Sequence, residues 1–111
     1  MSEIKVGEWI RTKNGQIDTF EETDENYMFA RCKKKTYWKL DIVNHSKDII
    51  DLIQKDDYVN GCRVYEVEEK GITVYQKVKN SSIDYNWIPK DEVKKIWTKE
   101  QLKFIEYNID N

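Results

Sequence analysis

His45-Ser46-Lys47-Asp48-Ile49-Ile50-Asp51-Leu52-Ile53-Gln54-Lys55-Asp56-Asp57-Tyr58-Val59-Asn60-Gly61 lies at the middle of the 111-residue chain, and its reading decides the fold. Ser46 can cap the amides of a short turn, and Asp48 adds an acceptor at the turn's positive end. Ile49, Ile50, Leu52 and Ile53 then form an apolar run too short for a stable amphipathic helix, which predicts a single turn feeding a buried strand. Lys55-Asp56-Asp57 breaks the run, Tyr58-Val59 restarts a strand, and Asn60-Gly61 is a tight-turn dipeptide in which both residues tolerate positive φ. A turn, an apolar strand and a fresh strand start in so short a span predict a connection between two similar small units.

Toward the N-terminus, Ile4 to Thr12 predicts a strand with Gly7 as a bulge or turn entry, and Lys13-Asn14-Gly15-Gln16 closes a hairpin onto Ile17 to Glu22. Thr23-Asp24-Glu25-Asn26 is a polar turn before a third strand, Tyr27 to Cys32, with apolar residues on both faces. Lys33-Lys34-Lys35 marks a loop tip, and Tyr37 to Val43 reads as a fourth strand. Toward the C-terminus, strands are expected at Arg63 to Glu68 and Ile72 to Lys79, with Ile72, Val74 and Val78 pointing one way. Asn80-Ser81-Ser82 is a loop, Ile83, Tyr85 and Trp87 at spacing two read as a half-buried strand, and Pro89 ends it. Lys95 to Thr98 is strand-like, Thr98 caps Lys99-Glu100-Gln101, and Leu102 to Ile109 is assigned as a last strand because its residues are β-formers, with a short helix as the alternative.

An internal repeat runs through this pattern. Gly7-Glu8-Trp9-Ile10 matches Asp56-Asp57-Tyr58-Val59, and Lys47-Asp48-Ile49-Ile50 is paired with Lys90-Asp91-Glu92-Val93, each preceded by an aromatic strand. Four strands, one helical turn and a final short strand predict a mainly β protein of two tandem SH3-like barrel units with one-turn helices, residues 1–54 and 55–111, with one fused compact domain as the alternative.

The charge is -2 from 19 basic and 21 acidic side chains, without the positive excess that phosphate neutralisation favours. Cys32 and Cys62 stand apart without a Cys-x-x-Cys spacing, so reduced thiols are expected over a disulfide or metal site. No run approaches the roughly 20 apolar residues that span a bilayer, and the N-terminus lacks an apolar signal region, which predicts no membrane association and a cytoplasmic location.

His45 is the only histidine, no nucleophile motif accompanies it, and the four glycines stand alone at turns instead of forming a phosphate loop. No enzyme activity and no cofactor are therefore expected. The paired acids Glu21-Glu22, Asp56-Asp57 and Glu68-Glu69 border turns, where solvation explains them. What stands out is the aromatic content, 13% of the chain with four tryptophans and seven tyrosines. Small barrels cannot bury so many rings, and exposed Trp or Tyr ringed by charge is the composition of a binding hot spot. The candidate partner-binding residues are Lys33, Lys34, Lys35, Tyr37, Trp87 and Trp97.

The segments Ile4-Lys5-Val6-Gly7-Glu8-Trp9-Ile10-Arg11-Thr12-Lys13-Asn14-Gly15, His45-Ser46 to Ile53, Asp57-Tyr58-Val59-Asn60-Gly61 and Thr98-Lys99-Glu100-Gln101 resemble, in that order, a group of short phage and prophage proteins of Firmicutes. Trp9 stands where a tyrosine is usual in that group, and Lys55-Asp56 where Val-Gly usually precedes the aspartate. The resemblance implies a mobile-element origin and, with the motif-free, aromatic-rich chain, an inhibitor of a host defence protein such as a CRISPR-Cas effector. The alternatives are a nucleic-acid-binding barrel, with Lys33, Lys34, Lys35 and Lys90, Lys94, Lys95, Lys99 around Trp97 for stacking, or a virion assembly protein.

Overall fold

The computed structural model describes residues 3–23, 27–77 and 83–102. The chain is mainly β and divides into two compact units, Met1–Leu52 and Ile53–Asn111, each built on one antiparallel five-stranded sheet.

In the first unit, β1 (Trp9–Thr12), β2 (Ile17–Thr23), β3 (Phe29–Cys32) and β4 (Thr36–Trp38) form a meander. A 3-10 turn at Lys39–Asp41 then redirects the chain so that β5 (Ile42–Ser46) pairs back onto β1. A second 3-10 turn, Ile49–Leu52, follows, and the Ser46 hydroxyl accepts the Asp48 amide at 3.2 Å. The apolar run Ile49–Ile53 is thus the turn itself, with Ile50, Leu52 and Ile53 buried, and the strand expected there does not form before Tyr58. Tyr37 to Val43 is likewise two strands with a turn between them. The reason is steric and local: Lys39 donates its amide to the Met28 carbonyl and Ile42 donates its own to Lys39, which closes a turn where an extended strand would run off the sheet.

In the second unit, β6 (Tyr58–Val59), β7 (Cys62–Val67), β8 (Gly71–Lys77) and β9 (Ile83–Pro89) repeat the meander. A 3-10 turn at Lys90–Glu92 delivers β10 (Ile96–Trp97) back to β6. A helical turn over 99–102 ends the described chain, fixed by a reciprocal cap in which Thr98 Oγ accepts the Gln101 amide and Gln101 Oε1 accepts the Thr98 amide. Val78, Asn80-Ser81-Ser82 and the expected strand from 103 onward lie outside the described residues.

The two units agree in register as well as in order. Gly7 and Asp56 both hold positive φ, at 90° and 75°, in front of an acid whose amide donates three residues back, Glu8 to Lys5 and Asp57 to Gln54. Gly7 and Glu8 exchange backbone bonds with Phe20 as Asp56 and Asp57 do with Val64, and each sheet shifts register immediately beyond that residue. The buried residues follow: Ile10, Phe20, Ala30 and Cys32 in one unit occupy the positions of Val59, Val64, Ile72 and Val74 in the other. The register also corrects the closing turn of the repeat. Lys39-Leu40-Asp41-Ile42 corresponds to Lys90-Asp91-Glu92-Val93, since Lys39 bonds Met28 as Lys90 bonds Lys70; Lys47-Asp48-Ile49-Ile50 lies beyond β5.

Asn60-Gly61 forms the two-residue β6–β7 turn with φ of 52° and 85°. The Asn60 amide donates to Lys95, its side-chain nitrogen donates to Glu92, and its side-chain oxygen accepts from the amides of Lys94 and Lys95, at 2.8 to 3.0 Å. Asn60→Gly keeps the backbone conformation and removes only the side-chain bonds, so a loss of about 2 kcal/mol in urea unfolding is expected, with β10 amides losing hydrogen-exchange protection first.

Glu8, at the entry to β1, pairs with His45 on β5. Glu8 Oε1 accepts the Lys5 amide at 2.6 Å and lies 3.2 Å from His45 Nδ1. The Lys5 amide is the largest influence on the Glu8 carboxyl and, together with His45, holds it below the usual carboxylate range against burial, which pulls the other way. A depressed carboxylate contributes stability that is complete above its unfolded value and lost as pH falls through the folded one. Glu8→Gln should therefore be less stable than the wild type at neutral pH, with a flatter stability profile below about pH 4, and the difference between the two should shrink as the Glu8 carboxyl protonates, which pH-dependent urea unfolding of both proteins checks.

Candidate functional site: the outer aromatic face of the second unit

The registry of β8 with β9 places Thr73 opposite Trp87 and Tyr75 opposite Tyr85. Between them Ile72, Val74 and Ile88 alternate inward and are buried. Tyr85 and Trp87 therefore face solvent, 51% and 44% exposed, on the open side of the half-buried strand expected here. The parity is set by Ile88, whose apolar side chain meets Ile72 across the pair.

The register shift between Val64 and Glu66 in β7 turns Tyr65 outward onto the same face. Tyr65, Tyr75 and Tyr85 form a closed triangle of rings with centroid separations of 5.3, 4.8 and 5.6 Å. Lys55 Nζ lies 5.9 Å from the Tyr65 centroid, and the Arg63 guanidinium lies 5.4 Å from that of Tyr75. Arg63 is fixed in turn by Asp56, whose Oδ1 accepts from Nε and Nη2 at 3.0 and 2.8 Å. That pairing holds the Asp56 carboxyl below its ordinary range and raises the guanidinium further. The rings are thus packed on one another and clamped at the edge by cations, leaving little side-chain entropy to lose on binding.

Trp87 completes the face. Its ring lies over Gly71, where an added Cβ would sit 2.4 Å from Trp87 Cζ2 and 2.7 Å from the Ile88 carbonyl oxygen. Glycine at 71 is what lets the indole lie flat on the sheet.

The other residues expected to bind a partner are distributed differently. Lys33, Lys34 and Lys35 form the tip between β3 and β4 in the first unit with exposed side chains, and the amides of Lys34 and Lys35 donate to the Asp18 carboxylate. Tyr37 is half-buried against the first unit's core and donates its hydroxyl to Asp18 Oδ2 at 3.1 Å. Burial first, then Asp18, pushes its phenol well above the usual range. Trp97 is on β10, 39% exposed, with Lys95 Nζ 5.9 Å from its centroid, at the opposite end of the strand order from Trp87. The structure thus groups Lys33 to Lys35 with Tyr37, places Trp87 in the aromatic face, and leaves Trp97 apart. Tyr65, Tyr75, Arg63 and Lys55 were not singled out from sequence; the alternation of Val64, Ile72, Val74 and Ile88 with the tyrosines is the signal that locates them.

Cys32 is buried in the first unit's core, and burial, with Asp18 and Glu21, pushes its thiol up to about 12, so it is not a thiolate at neutral pH. Among the described residues no group of three or more His, Cys, Asp or Glu side chains is arranged to hold a metal ion, and no helix is long and apolar enough to cross a membrane.

No protein-family model matches the chain, no curated protein matches it, and no solved structure matches it.

Proposed function

We propose that the chain is a non-enzymatic protein-binding module that docks its partner on the outer face of β7, β8 and β9. The observation that carries this reading is the preassembled triangle of Tyr65, Tyr75 and Tyr85 beside an exposed Trp87. Tyrosine and tryptophan supply large rigid contact area with a polar tip, and such rings dominate the binding energy of protein interfaces. The same positions in the first unit's register carry Glu21 and Lys33 opposite Tyr65 and Tyr75, so the aromatic face is an elaboration of one unit and not a requirement of the fold.

The phage resemblance supplies the partner class: a host defence protein, with a Cas effector as the leading case. Nucleic acid is the weaker reading, because the chain carries no positive excess and Asp56 already neutralises Arg63 on this face. Capture from a lysate of a defence-proficient Firmicute host, with nuclease added and salt raised, tests the choice. A single protein retained in stoichiometric amount after both treatments supports the module. Recovery of nucleic acid alone, lost as salt rises, or a defined self-assembly with no host protein, contradicts it.

A further inference from the structure

We propose that the first unit carries a separate peptide-docking site, the depression bounded by Tyr27, Met28, Trp38, Lys39 and Leu40, and that it takes an extended segment of a partner protein in which a large apolar side chain adjoins a carboxylate.

The depression has a volume of about 240 Å³. That suits one or two side chains and is small for a whole drug-sized ligand. Four of its five bounding residues are apolar or aromatic, and they are exposed to a degree a free surface rarely shows: Leu40 is 90% exposed, Tyr27 70%, and Trp38 47%. These side chains stand on a fixed frame. Lys39 closes the 3-10 turn onto Met28, and the Trp38 ring packs on Phe29 with centroids 4.3 Å apart.

Among the described residues that bound the depression Lys39 carries the single charge, and it identifies the occupant. Lys39 is half-buried, and its ammonium lies 5.4 Å from the centroid of the Tyr27 ring. The nearest acid in sequence, Asp41, is held by Lys13 at 3.0 Å. Among the described residues Lys39 forms no ion pair with a carboxylate. A cation set among apolar walls attracts an anion more strongly than one in open water. The complement of this surface is a carboxylate flanked by a large apolar side chain. An anionic membrane is the other apolar surface bearing negative charge, but stable attachment there takes several cations around the apolar patch, and this one presents Lys39 alone.

The test uses the full chain and three fluorescently labelled peptides of equal length: one alternating Glu with Leu and Phe, one with Lys replacing Glu, and one with Ser replacing Leu and Phe. Phosphatidylcholine vesicles containing phosphatidylserine serve as the membrane probe. The Glu-Leu-Phe peptide is expected to bind and the other two not, with Lys39→Gln and Leu40→Ser each weakening binding about tenfold or more while Lys70→Gln leaves it unchanged. Leu40 is so exposed that its replacement cannot unfold the unit, which keeps the outcome readable if Lys39→Gln disturbs the turn. The proposal is overturned if no peptide binds, if both first-unit variants bind as the wild type does, if the Lys peptide binds equally, or if the vesicles bind and the peptide does not. Because the site and its variants lie in the first unit, failure here leaves the aromatic face of the second unit untouched.

Discussion

Asp18→Ala is expected to lower the stability of the chain by about 3 kcal/mol, shifting the thermal midpoint by roughly 10 °C. Asp18 is buried at the first residues of β2, and its carboxylate accepts the Tyr37 hydroxyl at 3.1 Å, the Lys34 amide at 3.0 Å and the Lys35 amide at 3.2 Å on Oδ2, with its own neighbour's amide, Thr19, at 2.8 Å on Oδ1. Removing the acceptor strands these donors, and the half-buried Tyr37 hydroxyl cannot recover a full water shell. A buried donor left without a partner costs ~1–3 kcal/mol, and bonds to a charged acceptor lie at the upper end of the range for hydrogen bonds. The amides of Lys34 and Lys35 rely on this one carboxylate for their anchor, whereas Lys33 donates its amide to the Thr19 carbonyl. Asp18→Asn, which keeps an acceptor oxygen but presents an amide to donors, should recover only part of the loss. Urea unfolding of the three proteins checks this, together with the phenol of Tyr37: relieved of Asp18, it should titrate closer to an ordinary tyrosine. A loss under about 1 kcal/mol would show that the tip is held by its strands and not by the carboxylate.

Asp57→Ala should have an effect of similar size in the second unit. Its side chain is fully buried, and it accepts the Gln54 amide at 2.7 Å on Oδ2 and the Lys99 amide at 2.9 Å on Oδ1. The carboxylate therefore joins the turn that enters β6 to the start of the helical turn at 99, across 42 residues of chain. With it gone, two amides are left facing a cavity that methyl cannot fill. A loss of about 3 kcal/mol is expected, with the Gln54 and Lys99 amides losing hydrogen-exchange protection ahead of the β7–β8 pair. Glu8 occupies the corresponding position in the first unit and makes the corresponding bond, to the Lys5 amide, but its second oxygen-bearing contact is a side chain, His45. Glu8→Ala should accordingly unfold less than Asp57→Ala does, a comparison that separates the shared turn from the added tie to residue 99.

The repeat was legible where it was written in residue types with a single conformational meaning. Asn60-Gly61 marks the two-residue turn, and the acidic-aromatic-β-branched openings Glu8-Trp9-Ile10 and Asp57-Tyr58-Val59 mark the first strand of each unit. Thr98 and Gln101 spell a reciprocal cap. The 3-10 turn at Lys39–Asp41 was hidden because Tyr37 to Val43 is continuously β-forming, and only the bond from Lys39 to Met28, made across two strands, ends the run. The aromatic face was hidden by a two-residue period that admits two phases. Ile83-Tyr85-Trp87 and Asp84-Asn86-Ile88 are both alternations, and Ile88, facing Ile72, selects which of them is buried. Tyr65 follows the buried Val64 and so shares that alternation, while the register shift beside it is not announced by the side-chain pattern. Partner chemistry was less visible still, since it depends on which charges are already neutralised. Asp56 takes Arg63 and Asp41 takes Lys13, while Lys39 is left over an aromatic ring.

The central claim is that the outer face of β7, β8 and β9 is where the partner sits. The most direct measurement compares capture by the wild type with capture by Tyr65→Ala/Tyr85→Ala, both tagged, from the same host lysate, with Trp97→Ala as a surface control and circular dichroism confirming that each is folded. The protein retained by the wild type should be lost from the double variant and kept by Trp97→Ala, each tyrosine contributing at least about tenfold in affinity, as central aromatic anchors do. Equal recovery by the double variant, with loss on Trp97→Ala, would contradict the account and move the interface to the β10 edge.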